Sequence, residues 1–336
     1  AVAANDMAWD QMDQQFYLSV ASANGIDANS ITALNPQTGV LGASIATGSE
    51  PGKLAVSSDG SYLYAGLDSV GSVHRYTLPG LQSDMDIPLG SSGGTGPYYA
   101  IDVEGEPGSP RSVAVSRGVE SVSPREQGGV LVYDDAVARP QSVPGFGPLL
   151  PGTIDSLVWN ANGQTLYGID TEGGSDLYTI SASAAGLQVQ TTSTAGGPYG
   201  PRLHFDATTG YLYGDGGSVI DPATNGVVGK FTSSAVQGGL SGNVIMVPDG
   251  KLNIAYLLGQ TMYSHGAQGQ FVIEAFDLTH FTFLGAIPVS VSGFPSKMIR
   301  WGSNGLAILT GDPYGRGEAG DGVYLVSGGF VTSPAP

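Results

Sequence analysis

Apolar and polar positions alternate with a period of two along most of the chain, and short clusters of Gly, Pro, Asn and Asp keep interrupting the alternation. Residues 30–67, SITALNPQTGVLGASIATGSEPGKLAVSSDGSYLYAGL, show this most clearly. SITAL alternates, NPQTG reverses the chain and VLGASIA runs back. GSEPG then crosses to the apolar LAVS, and SDG turns into YLYAGL. Period-two segments bounded by turn formers predict strands joined by tight turns.

The same four-strand unit recurs. Inner strands are predicted to start at Met7, Leu54, Tyr99, Ile154, Leu203, Val244 and Met298, about 40–55 residues apart. The units cover 7–52, 53–97, 98–152, 153–201, 202–243, 244–296 and 297–336. Seven of them predict one all-β domain over 1–336, a seven-bladed β-propeller with four-stranded antiparallel blades around a central channel. A β-sandwich would leave the repeat unexplained. No segment sustains a 3.6-residue apolar period, so helix should be nearly absent. The last unit shows three clear strands. Its fourth is expected from 330–332 or from 2–4, with 2–4 favoured because it directly precedes the first inner strand.

Turn chemistry supports the pattern. Asp59-Gly60, Asn162-Gly163, Asp249-Gly250 and Asn304-Gly305 stand where an inner strand should turn into a second strand. There the side chain can bond local backbone N–H groups and Gly can take a positive φ. Tyr62, Tyr64, Tyr167, Tyr211 and Tyr213 in the second strands should fill the space between neighbouring sheets. Trp9, Trp159 and Trp301 hold matching places in MAWD, LVWN and IRWG and read as packing between blades.

SITALN, NPQTG, IATG, SEPGKLAVSSDG and SYLYAGL, with VIDPATNG in the fifth unit, resemble the YVTN-type propeller repeats of bacterial and archaeal surface-layer and secreted proteins. The likeness is good over about half the chain and degenerate in units three, six and seven. The terminal Asn of the repeat is missing, with Leu67, Asp170 and Gly216 near its place. The resemblance implies the propeller fold. For function it implies a surface or secreted module, since such repeats serve adhesion and scaffolding as well as catalysis, lactonases included.

Composition narrows the setting. Among 336 residues, 41% are apolar and 16 are Tyr, which a folded core needs, so the 53 Gly and 21 Pro belong to turns rather than to a disordered chain. No apolar run reaches the roughly 18–20 residues of a membrane helix, so no membrane insertion is expected. A formal charge of −17 argues against nucleic acid or an anionic membrane as partner. The absence of Cys removes disulfides, thiolate metal sites and a Cys nucleophile. The chain opens on Ala1, as it would after cleavage of a secretion signal or after trimming. Charge and composition together point to an extracellular or cell-surface setting, the periplasm included.

Motifs for chemistry are sparse. GSSGG at 90–94 satisfies G-x-S-x-G but lacks the following helix and reads as a turn. GRGEAG at 315–320 satisfies G-x-G-x-x-G without a βαβ unit. His74, His204, His265 and His280 show no metal-ligand spacing, and Asp312, Glu318 and Asp321 lack the order of a calcium loop. No cofactor is called for, no metal is expected, and no catalytic set emerges.

Loop lengths are more telling. The long loops 21–29, 117–128, 262–270 and 311–322, and the Gly/Pro/aromatic links 90–99, 145–154, 195–202 and 291–297, should all lie on one face of the propeller. Function tends to sit on such loops. Of 12 basic residues, Lys53, Arg117, Arg125, Arg202, Lys297 and Arg316 map there, and Lys53, Arg202 and Lys297 each open an inner strand beside the channel mouth. Tyr98, Tyr99, Phe146, Tyr199, Tyr263, Phe294 and Tyr314 add aromatic surface. Lys53, Tyr98, Tyr99, Arg117, Arg125, Tyr199, Arg202, Lys297, Tyr314 and Arg316 are therefore the candidate ligand-binding residues.

Three functions compete. The first is a non-catalytic binding or scaffold propeller recognising a glycan, a surface polymer or a partner protein, with an acidic glycan matched to the cations. The second is a lyase, lactonase or hydrolase acting on an acidic sugar at the channel mouth. The third is a self-assembling surface-layer, sheath or filament subunit. The first is preferred because no catalytic cluster is visible. The bland reading of the cations is a set of loop salt bridges, each worth little at an exposed surface.

Overall fold

The structure is a computed structural model that describes residues 2–25, 27–119, 126–145, 154–171, 176–193, 200–233, 240–261, 270–311 and 322–332. The chain divides into two compact units, one over Val2–Thr194 and the other over Ala195–Pro336.

The first unit holds four antiparallel sheets, each built from consecutive strands in chain order. They are β1–β4 (Ala4–Asp10, Gln15–Val20, Ser30–Asn35, Val40–Ala46) and β5–β8 (Pro51–Val56, Tyr62–Leu67, Ser72–Thr77, Gln82–Pro88). Next come β9–β12 (Tyr99–Gly105, Ser112–Val119, Glu126–Asp134, Val137–Ala138) and β13–β16 (Ser156–Trp159, Thr165–Ile169, Leu177–Ser183, Gly186–Ser193). Burial falls from the inner strands outward. Phe16 to Val20 of β2 are fully buried, whereas β4 is largely exposed.

The core lies between successive sheets rather than within one. Ala8, Tyr17 and Ile31 of the first sheet meet Leu54, Leu63 and Tyr76 of the second. Tyr64 and Val73 then meet Ala100, Val103 and Val113. Val130 and Val132 meet Leu157, Trp159 and Leu166.

The second unit repeats the scheme with β17–β20 (Leu203–Phe205, Leu212–Gly214, Ser218–Asp221, Gly226–Lys230) and β21–β24 (Leu240–Asp249, Ile254–Thr261, Phe271–Asp277, Phe283–Val289). Its last sheet is β25–β27 (Phe294–Trp301, Gly305–Gly311, Gly322–Ser327), with three strands among the described residues. Tyr213 and Phe231 pack on Met246, Leu257 and Phe276. Ile245, Tyr256 and Ile273 pack on Met298, Leu306 and Ile308.

Residues 330–332 add no fourth strand to the last sheet. Ala3 and Ala4 extend the first sheet: Ala4 pairs with Val20, and the Ala3 carbonyl accepts the Ala21 N–H at 3.3 Å. Residues 330–332 lie in α1 (Gly329–Thr332), one helical turn. The turn buries Val331, whose carbonyl accepts the Tyr256 hydroxyl at 2.5 Å. Val331 is thus used as a plug rather than as part of a strand.

The turns follow the sequence with two exceptions. Asn35 Oδ1 accepts the N–H groups of Gln37 and Thr38 at 2.9 and 3.2 Å. Gly60 and Gly163 take φ of +72° and +70°, as their Asp-Gly and Asn-Gly turns require. Gly250 and Gly305 do not take positive φ. They are glycines because something presses on them. A Cβ on Gly250 would lie 2.1 Å from Asp206 Oδ1, and one on Gly305 would lie 2.0 Å from the Trp301 ring.

The second-strand tyrosines fill the gaps between sheets. Tyr17, Tyr64, Tyr213 and Tyr256 are wholly buried, and each hydroxyl has a partner: Gln15, the Pro110 carbonyl, Thr209 and the Val331 carbonyl. Burial pushes the phenols of Tyr64, Tyr213 and Tyr256 up to about 12, so they stay neutral donors. Tyr167 is buried as well, while Tyr62 and Tyr211 are half-buried at its rim.

Candidate functional site

The candidate binding residues separate into three groups. Arg125, Tyr199, Tyr314 and Arg316 lie outside the described residues, as do Phe146 and Tyr263. In the first unit, Arg117 on β10 donates from Nη1 to the Leu89 carbonyl at 2.6 Å and from Nη2 to the Gly128 carbonyl. Its guanidinium sits 5.0 Å from the centre of the Tyr98 ring. Tyr98 in turn lies against Gly128, where a Cβ would come within 2.8 Å of the ring. Arg117 and Tyr98 therefore brace the link after β8 against the start of β11. Tyr99 opens β9 opposite Gly118, with its hydroxyl oxygen buried. Lys53 is half-buried on β5.

In the second unit Arg202 reaches the strand that carries Lys297. Arg202 stands just before β17, yet its Nε–H donates to the Ser296 carbonyl of β25 at 3.2 Å, across 94 positions of sequence. The reach passes the whole β21–β24 sheet, which follows β17–β20 in chain order. Among the described residues this is the only hydrogen bond of the Arg202 side chain. Lys297, next to Ser296, is half-buried, and Phe294 at the start of the same strand is 60% exposed. β25 thus carries a cation and an exposed aromatic ring on the strand to which Arg202 is tied.

The cations that are most deeply held were not singled out by the sequence. Arg75 on β7 is 1% exposed, with Nε 2.5 Å from Asp84 and Nη1 2.7 Å from Asp135, which also takes Arg111 at 2.8 Å. Its guanidinium stacks 4.3 Å from the Tyr62 ring. Arg139, just past β12, bonds Glu106 at 2.5 Å and Asp134 at 2.8 Å. The Arg139 hydrogen bond holds the Asp134 carboxyl below the ordinary carboxylate range. Both arginines join neighbouring sheets and have no donor set aimed outward, so their role is structural. The signal that could have found Arg75 is an Arg on the alternating pattern of a middle strand, where an apolar residue is due.

Each described histidine has an acidic partner. His280 meets Asp277 at 3.0 Å in a local turn. His204 Nε2 lies 2.9 Å from Asp215 Oδ1, which also accepts the Met246 N–H at 2.9 Å. His74 on β7 stands between Asp86, 2.6 Å from Nδ1, and Ser83, 2.9 Å from Nε2. Among the described residues no three His, Asp or Glu side chains are grouped as metal ligands would be.

No family model matches the sequence, and no curated protein does. Solved structures match it well. The β-propeller domain of Myceliophteria thermophila Cps50 (Swd1) is similar over 98% of this chain and 98% of its own, at 11% identity and a TM-score of 0.67. Kuenenia stuttgartiensis hydrazine synthase aligns with 91% of this chain and 73% of its own, at 14% identity and a TM-score of 0.43, too loose a likeness to add to the first. At such identity the likeness speaks to the fold alone. Together with the seven antiparallel sheets it makes this chain an all-β, seven-bladed β-propeller.

Proposed function

We propose that this propeller is a binding module working outside the cell, and that it holds a carboxylated or sulfated glycan, without chemistry at that site, at Arg202, Lys297 and Phe294. The observation that carries the reading is the placement of Arg202. Its Nε–H is tied to the Ser296 carbonyl at 3.2 Å, which anchors the guanidinium on the strand that carries Lys297 and the 60%-exposed Phe294. A guanidinium so anchored loses little freedom on binding, and its fork suits planar anions. The exposed Phe294 ring offers a stacking face. A positive cluster in a chain of net charge −17 selects anionic over neutral ligands locally, while the acidic remainder disfavours nucleic acid.

The repeats belong, on this reading, to the YVTN type. Support comes from the two matching turns. Asn35 caps NPQTG through its side chain, and Asp221 does the same in DPATNG by accepting the Ala223 N–H at 2.9 Å.

Calorimetry with oligouronates and sulfated oligosaccharides tests the proposal. Binding is expected at low salt, weakening as salt rises, and lost in Arg202→Ala with an unchanged melting temperature. Absence of binding at low salt, or affinity indifferent to both salt and Arg202, would overturn it.

A further inference from the structure

A β-bulge on the outer strand of the second sheet assembles a serine, a histidine and an aspartate. β7 and β8 pair His74 with Asp86 and Arg75 with Met85, and the register then skips Asp84 to set Tyr76 opposite Ser83. Side chains alternate between faces along a strand, so without the extra residue Ser83 and Asp86 would point to opposite faces. With it, both share the face of His74. The bulged residue is anchored on the other face, where Asp84 bonds the buried Arg75 at 2.5 Å. The Tyr76 ring, 4.5 Å from that of His74, holds the imidazole from the side.

One imidazole tautomer satisfies both contacts. An ionised carboxylate only accepts hydrogen bonds, so His74 Nδ1–H donates to Asp86 at 2.6 Å. The neutral ring leaves Nε2 bare, and it accepts the Ser83 Oγ–H at 2.9 Å. Nucleophile, base and orienting acid are thus linked in the order that activates a hydroxyl. The three open into a groove between the first two sheets of the unit, lined by Ile45, Thr47, Val70, Tyr76 and Pro88. Its mixed apolar and hydroxyl lining suits a short acyl chain. β8 is the outermost strand of its sheet, and an edge strand carries backbone N–H groups without ladder partners, which can face an oxyanion.

We propose that Ser83, His74 and Asp86 form an acyl-transfer site that hydrolyses small carboxylic esters. Ser83 Oγ attacks the ester carbonyl carbon while its proton passes to His74 Nε2, and Asp86 stabilises the imidazolium. The carbon–alkoxy bond breaks, and the leaving alkoxide takes the proton from Nε2. Water then adds to the acyl carbon of the Ser83 ester, giving its proton to His74. The carbon–Oγ bond breaks, Oγ recovers that proton, and the carboxylic acid leaves. Arg202 and Lys297 take no part, so glycan binding and acylation can each fail alone.

The test uses the intact chain with a fluorophosphonate probe, followed by peptide mapping, and p-nitrophenyl butyrate hydrolysis in parallel. One label per chain on Ser83 is expected, together with ester hydrolysis that disappears in Ser83→Ala. His74→Gln should slow labelling of Ser83 by a factor of about 10²–10⁴. Circular dichroism of each variant should match that of the parent, since Ser83 is exposed and the substitutions leave the Arg75–Asp84 anchor in place. Absence of label on Ser83, or labelling equally fast in a folded His74→Gln protein, would overturn the site.

Discussion

The Asp102 carboxylate accepts the backbone N–H of Leu157 at 2.7 Å, tying the inner strand of one sheet to the inner strand of the next. Its other oxygen accepts the Val103 N–H at 3.1 Å. Asp6 makes the same pair of bonds to Leu54 and Met7, at 3.0 and 2.9 Å. An acid in an otherwise apolar inner strand is thus a clasp between sheets. Asp102→Asn turns one acceptor into a donor facing an N–H. It should cost about 1.5–3 kcal/mol, as bonds to charged groups do, read as a lower urea midpoint at unchanged m-value.

Trp159 is buried among residues of two sheets, and its Nε1–H donates back to the Glu104 carbonyl at 3.3 Å. Truncation to Ala should cost on the order of 3–5 kcal/mol, seen by calorimetric melting. A Trp159→Ala protein that melts like the parent but loses glycan binding would make the indole a ligand platform instead.

Gly305 lies under the Trp301 ring, with no room for a methyl group. Gly305→Ala should therefore destabilise by about 1–3 kcal/mol through overpacking. The same change at Gly93, where a Cβ meets nothing but a positive φ of +75° must be held, should cost less. Denaturant melts of the two variants make the comparison.

Acid should loosen the third sheet through Asp134. Its folded value lies below the ordinary 3.8 because Arg139 donates to it. The stabilisation is present above the unfolded value and is lost as pH falls through the folded one. Melting temperatures of the parent and Asp134→Asn should differ by a constant amount near neutrality, with the gap closing below about pH 4. A gap that persists unchanged into strong acid would assign the effect to shape rather than charge.

Phe294 gives a surface counterpart. At 60% exposure it contributes little to folding, so Phe294→Ala should leave the melt unchanged. Affinity for an anionic oligosaccharide should fall by about 1 kcal/mol, roughly five-fold, by calorimetry.

The strands were legible where turn formers bound an apolar-rich or alternating run. Residues 15–20, 40–46, 62–67 and 283–289 read as strands, and β2, β4, β6 and β24 have those bounds. Legibility failed at outer edges. β8 begins at Gln82, four residues before its apolar end suggests, because Gln82-Ser83-Asp84 faces water and owes nothing to a core. The two-residue β12 is exposed throughout and leaves no pattern. The site was harder still. Arg117 looked available by its loop position, yet two backbone carbonyls claim it. The alignment of His74, Ser83 and Asp86 depends on a one-residue slip in register, which neither strand encodes alone.

The clasps of Asp6 and Asp102 reach forward along the chain, by 48 and 55 positions. Because every sheet is made of consecutive strands, each can form as soon as its own strands have left the ribosome. Its carboxylate must then wait in water until the next inner strand arrives to use it. Biosynthesis would accordingly advance as a series of latches, each closed by the segment translated after it, and an interrupted chain would end on an open one.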